Sequence, residues 1–343
     1  MKNFHHLANL LARLFTLVLL LLAVVIVGVY LYGSHPSWFI KNEISAAEWA
    51  PKEPKSLFES GNMPADVAYG FQLISETSSF IGPMAADDQM HYAGNNLACA
   101  NCHLQNGTQA GSGSWIGVTD RFPQFRSRSN SQGTIEDRIN GCMARSMNGE
   151  PLPVDSKEMK AIVSYMEWLG EDLPEERVKE FKGFPKIQLP EVAVDFEKGK
   201  ALYGQECAVC HGENGQGQKF KDVTKGYQYP PLWGPDSFND GAGMHRVITA
   251  AEFIKSNMPF GQATWENPKL TDEEAYHLAG YINSFSRPHK ANLEKDFPDR
   301  KLKPVSTPYG PWADNFPAEQ HQFGPFQPIM EFYKKQYDLN KTK

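Results

Sequence analysis

Cysteine is scarce in this chain, five residues in 343, and basic charge is in short supply too. Forty acidic side chains against 34 basic ones leave a formal net charge of −6. With no zinc-finger spacing and no basic arm, that balance argues against a nucleic-acid partner. A clean cleavage signal is also missing. The apolar run Leu14–Tyr32 passes into Gly33-Ser34 without an A-x-A-like exit. At ~1.5 Å rise per residue the run covers a bilayer's hydrocarbon core, and Tyr30, Tyr32 and Trp38 suit the outer interface. An uncleaved membrane anchor over residues 1–33, N-terminus inside, is therefore expected. The alternative is a cleaved signal that leaves a soluble periplasmic protein. Either way the rest of the chain lies on the periplasmic side of the cytoplasmic membrane.

The little cysteine present is concentrated. Cys99-Ala-Asn-Cys102-His103 and Cys207-Ala-Val-Cys210-His211 are both C-x-x-C-H runs. Two thiols and an adjoining imidazole at this spacing can meet one rigid macrocycle: the thiols add to the vinyl groups of a haem and the histidine takes its iron. Two runs imply two covalently bound c-type haems, with His103 and His211 as the proximal metal ligands. Four cysteines so used leave no disulfide framework, and Cys142 is an unpaired thiol in an exported protein.

Around the two runs the chain repeats one plan. After the anchor, a Pro/Trp-rich stalk is expected over 34–63. A first haem domain (64–173) opens with a helix from Pro64 through Ile74, then carries a Gly/Ser-rich loop and an Arg-rich stretch Asp120–Arg138. It closes with a helix from Asp155 to Leu169, with Met159, Ile162, Val163, Met166 and Leu169 at helical spacing. A charged, proline-bounded linker (174–190) precedes the second domain (191–300). There a helix over Val194–Gln205 leads into the second run, and Thr271 with Glu274 caps a closing helix to Phe285. The Pro/aromatic-rich tail 301–343 is expected to wrap over the domains. The fold class is thus all-α, two tandem cytochrome c-like domains behind an N-terminal transmembrane helix.

The sixth iron ligands separate a relay from a catalyst. In the second domain Met258, followed by Pro259 just before the closing helix, stands where a distal methionine is needed, with Met244, His245 and Lys255 as fallbacks; a methionine there raises the haem potential. The matching place in the first domain is Arg138-Ile139-Asn140-Gly141-Cys142-Met143-Ala144-Arg145-Ser146-Met147. It offers one thiol and two methionines. A lone buried cysteine is most often a small hydrophobe. Nearby arginines would instead favour its thiolate, and a helix through 138–147 would set Arg138, Cys142 and Ser146 on one face. The arginines of 121–145 read either as a solvated face or as an anion site. Histidines 5, 6, 35, 91, 277, 289 and 321 read as surface or structural.

The segments Cys99–Thr108, Arg138–Gly149 and Thr307–Phe326 resemble the dihaem thiosulfate dehydrogenases, over a range from about Ala65 to Ile329. The resemblance implies an enzyme that joins two thiosulfates into tetrathionate with release of two electrons, or runs the reverse reduction. It further implies a His103/Cys142 haem at the active site, Arg138, Ser146 and Arg128 flanking the substrate, and a His211/Met258 haem for electron exit to a small cytochrome c or similar carrier. Some members place a Lys before this methionine and swap ligands on reduction; here that position is Asn257. The rival readings are a membrane-anchored dihaem electron-transfer subunit, a dihaem peroxidase, which Cys142 disfavours, and a multi-subunit sulfur-oxidising cytochrome that would need a carrier protein.

Overall fold

The structure, a computed structural model, describes residues 2–34 and 48–343. Most of the expected stalk, with His35 and Trp38, lies outside the described residues. The chain divides into two compact units, Met1–Trp49 and Ala50–Lys343. In the first, helix α1 (Lys2–Ser34) extends the apolar run at both ends. By length and composition its segment His5–Ser34 could cross a membrane, a property that an anchor and a signal segment share.

The second unit is helical, with only two short hairpins, Gln124–Arg126 with Ser131–Gly133 and Gln218–Lys219 with Tyr227–Tyr229. It begins before the expected first domain. Helix α2 (Pro54–Glu59) sets Phe58 against Phe71 at 4.8 Å, and Lys52 Nζ donates to Trp168 O at 2.5 Å. Helix α3 (Ala65–Ser75) and the short α4 (Thr77–Ile81) then lead to the first C-x-x-C-H run. Helix α5 (Ile135–Met143) carries Cys142, and α6 (Lys157–Gly170) closes the half. The second half repeats this order with α7 (Phe196–Glu206), α8 (Ala208–His211) bearing the second run, α9 (Val247–Asn257), and α10 (Asp272–Asn283). The tail adds α11 (Ala318–Phe323) and α12 (Gln327–Tyr337).

Each half is fastened by its first helix crossing its last, with a glycine at the crossing. A Cβ on Gly70 of α3 would fall 2.2 Å from Ala161 O of α6, and one on Gly199 of α7 would fall 2.4 Å from His277 O of α10. Only hydrogen fits at either point. The apolar stripes are buried largely as their spacing predicts: Met159, Ile162, Met166 and Leu169 on α6, with Val163 at its half-buried edge, and Ala275, Leu278 and Ile282 on α10. Thr271 and Glu274 form the expected reciprocal cap. Phe285 lies beyond the end of α10, stacked on Trp233 at 4.1 Å. The tail does more than cover. Val305, Phe326, Ile329 and Tyr333 are part of the core built by α7, α9 and α10.

Candidate functional site

Two cavities follow the two C-x-x-C-H runs. One, of about 300 Å³, is lined by Cys207, Cys210, His211 and Met258; the other, of about 280 Å³, by Cys99, Cys102, His103 and Cys142. In each, the histidine is oriented by a backbone carbonyl. His103 Nδ1 meets Gly113 O and His211 Nδ1 meets Pro230 O, both at 2.8 Å. A carbonyl only accepts, so Nδ1 carries the proton and Nε2 is turned into the cavity, where His103 meets Cys142 and His211 can offer its lone pair to a metal. Burial holds His211 below its ordinary value, which favours the neutral ring. Two thiols and an imidazole on one largely apolar cavity, twice over, is the donor set that a covalently attached haem needs. Leu97, Cys102, Phe238 and Met244 line both cavities, so the two share a wall.

The sites' remaining ligand candidates sort by place. Met258 ends α9 and faces the His211 cavity, whereas Lys255 is paired with Asp272 and His245 Nδ1 with Asp240 O. Met244 stands in the shared wall. Asn257, beside Met258, is wholly buried. Its Nδ2 donates to Gly111 O at 2.8 Å and Phe253 O at 3.0 Å, and its Oδ1 accepts from Gln109 at 2.8 Å. The methionine segment of the second half is thereby tied to the loop that orients His103.

Cys142 sits on α5, whose start is fixed by a reciprocal cap between Thr134 and Asp137. Arg138, one turn earlier, donates through Nη1 to Cys142 Sγ at 2.7 Å. Burial alone would push the thiol up. The Arg138 guanidinium, and after it His103, outweigh that and bring it from 9.0 to about 6. Three thiols of the C-x-x-C-H runs behave oppositely: burial pushes Cys99 to about 11, and Cys102 and Cys207 to about 12. Met143 and Met147 line the same cavity as buried apolar walls. Helix α5 stops at Met143, so Ser146 reaches the cavity from the following turn rather than from the helix face.

On the other side of Cys142 lies a third cavity, about 410 Å³, into which Arg126, Arg128, Arg138, Arg145 and Arg246 converge. Two of them are held by one carboxylate. Asp296 accepts from Arg145 Nη2 at 2.6 Å and, on its other oxygen, from Arg128 and from Tyr309 Oη at 2.7 Å. Burial would raise the Asp296 carboxyl; Arg128 and Arg145 hold it below its usual value. Among the described residues Arg246 makes no carboxylate ion pair within 4 Å, and its Nε donates to Gly243 O; burial and the neighbouring Arg128 lower it to about 10, against the opposing pull of Tyr309 and Glu252, so it is still charged at neutral pH. Arg126 Nη1 and Arg145 Nε are buried without a partner. Four of the five arginines are half-buried around one cavity and Arg138 is exposed at it, an arrangement of guanidinium donors that suits an oxyanion.

Cys142, Arg138, Ser146 and Arg128, proposed from sequence, all line this cavity. Arg126, Arg246, Asp296, Tyr309 and Phe184 were not singled out. Arg126 lay within the Arg-rich stretch and Tyr309 within the tail motif, so both carried a faint signal. Asp296 and Arg246 carried none, because their partners are remote in sequence. Phe184 belongs to the expected linker, yet it lines the cavity beside His103 and packs on Phe253 at 5.8 Å.

The family described as SoxA/TsdA, cytochrome c domain matches residues 89–174, and cytochrome c matches residues 196–286. The thiosulfate dehydrogenase of Allochromatium vinosum is 38% identical over 237 residues, covering 68% of this chain and 82% of that protein. Those of Psychrobacter arcticus and Stutzerimonas stutzeri are 44% and 42% identical. These matches cover 60% and 59% of this chain but only 61% and 64% of those two proteins. Among solved structures, the as-isolated thiosulfate dehydrogenase (TsdBA) from Marichromatium purpuratum superposes with a TM-score of 0.61 at 32% identity, over 72% of this chain and 51% of that one. The helical halves are thus two tandem cytochrome c domains, and two c-type haems are their cofactors.

Proposed function

Since the chain belongs to the thiosulfate dehydrogenase family, we propose that it oxidises two thiosulfate ions to tetrathionate with release of two electrons, and that the same site runs the reverse reduction. The observation that carries this reading is the 2.7 Å contact between Arg138 and Cys142, where the first haem cavity opens into the arginine cluster. In this reading His103 and Cys142 are the iron ligands of the active-site haem, and His211 and Met258 those of the exit haem. Two haems held there would supply one-electron acceptors for the two electrons, which would pass to a carrier such as a small cytochrome c. Helix α1 anchors the protein at the periplasmic face of the membrane.

The chain's own residues do the rest. Arg126, Arg138 and Arg246 hold the first dianion, while Asp296 keeps Arg128 and Arg145 in place. Arg138 stabilises the Cys142 thiolate, the nucleophilic form. The terminal sulfur of thiosulfate bonds to Cys142 Sγ, giving Cys142–S–S–SO3⁻ and two electrons. A second thiosulfate attacks the outer sulfur of that bond, tetrathionate forms, and Cys142 leaves as thiolate. Two unit charges at contact repel by about 1 kcal/mol in water and about 4 kcal/mol at the effective dielectric of a protein surface. The guanidinium cluster offsets that repulsion, so it contributes to rate as well as affinity. Phe184 and Phe253 cover the cavity's apolar side.

The test uses the haem-loaded full chain with thiosulfate and an artificial acceptor. One tetrathionate per two electrons is expected, and Cys142→Ala should abolish turnover while both haems remain attached. Turnover retained by Cys142→Ala would sink the covalent role. Failure to turn over in either direction, at normal haem content, would leave a dihaem electron-transfer subunit as the better reading.

A further inference from the structure

The arginine wall has a second side. Behind it lies another cavity, of about 420 Å³, lined by Arg126, Arg128, Arg145, Lys295, Ser131 and Asn140 among others. Arg126, Arg128, Gly141 and Arg145 line this outer cavity and the inner one that holds Cys142. A guanidinium presents five N–H donors around a planar fork, so one arginine can serve anions on two sides. The outer cavity's carboxylates do not cancel its charge. Asp137 caps the α5 N-terminus through Thr134 N, and Asp296 is shared between Arg128 and Arg145. Four cations thus face two carboxylates that already have partners. The orphaned Arg126 Nη1 and Arg145 Nε belong to side chains of this same wall.

We propose that the outer cavity is a second oxyanion subsite, in which the second thiosulfate is held while the first reacts at Cys142. This inference rests on the reaction proposed above. Thiolate and first dianion bring three negative charges into the inner cavity, and the Cys142–S–S–SO3⁻ adduct keeps one. The two electrons leave to a one-electron acceptor protein, so two negative charges leave the inner side. The shared arginines are then short of counter-charge on that side, which draws the waiting dianion inward. Its terminal sulfur attacks the outer adduct sulfur, the Cys142 S–S bond breaks, and no proton or further oxidant is consumed. The wall thereby keeps two dianions apart until the inner cavity has lost two of its three negative charges.

Calorimetric titration of the oxidised, haem-loaded Cys142→Ser full chain with thiosulfate, at low salt where charge contacts are least screened, reads the subsites without turnover. Two ions per chain are expected. Adding Lys295→Glu, an exposed position that lines only the outer cavity, should remove the second ion or weaken it at least about tenfold. Lys200→Glu, the same charge change at an exposed position outside both cavities, should leave two. A single ion per chain in the Cys142→Ser protein, with tetrathionate still formed by the native chain, overturns the outer subsite and leaves the proposed reaction standing. Equal effects of Lys295→Glu and Lys200→Glu overturn it as well. No binding, together with no tetrathionate, brings down both.

Discussion

A single thiol is made different from its four sisters by what stands one helical turn before it. Arg138 is the group that brings Cys142 down against burial, so Arg138→Ala should lower kcat/KM about 10- to 100-fold, the loss of one charge-assisted hydrogen bond at the mouth of the cavity. Steady-state kinetics on thiosulfate measure it. Asp296 works by holding two cations. Asp296→Asn leaves Arg128 and Arg145 without a counter-charge and should cost about 3–5 kcal/mol of stability, read by thermal or denaturant unfolding. The same carboxyl gives a pH dependence. Its folded pKa lies below the unfolded 3.8, so its stabilisation is complete above that value and is lost as pH falls through the folded pKa. The acid limb of unfolding should be shallower in Asp296→Asn than in the native chain. That the two C-x-x-C-H runs, Cys142 and Met258 stand at the two cavities is legible in the sequence because each signal is local: a spacing, an odd thiol, a Met-Pro before a helix. Asp296 was illegible because an ordinary Lys-Asp-Phe stretch says nothing of arginines 151 and 168 residues away.

Among the elements, helices with a clear apolar stripe were placed from sequence to within a few residues, and the segments between them were not. Gly70 and Gly199 show why the helical plan holds: each lets two helices touch where a methyl group would meet a carbonyl oxygen. Gly199→Val should separate α7 from α10 and cost at least about 1–3 kcal/mol, seen as a lowered melting temperature of the haem-loaded protein. The linker was read from its charge and prolines, which hid Phe181 and Phe184. One is buried and the other faces the His103 cavity. The tail's prolines and aromatics suggest a cover, which overlooks the i, i+4, i+8 spacing of Ile329, Tyr333 and Tyr337 on α12; Phe326, one turn earlier, is fully buried in the second core. Phe326→Ala should cost about 3–5 kcal/mol, a core truncation rather than a surface change.

At the scale of the molecule, the compact unit 50–343 is bound across its midline by Asn257, Gln109 and Gly111, and by the four side chains common to both haem cavities. Asn257→Ala strands buried polar partners and should destabilise by about 1–3 kcal/mol. On the His211/Met258 ligation proposed above, a loss of the absorption signature of methionine-bound iron would show the effect reaching Met258. Residues 1–49 are a separate unit. That shared wall bears on how such a chain can change by descent. Two repeats of one plan suggest parts that recombination could shuffle, but Leu97 and Cys102 on one side and Phe238 and Met244 on the other are common to both cavities. A second repeat transplanted from a distant relative would arrive with the wrong half of that partition, so substitutions here should be inherited as a set, and gene fusions should take the pair whole.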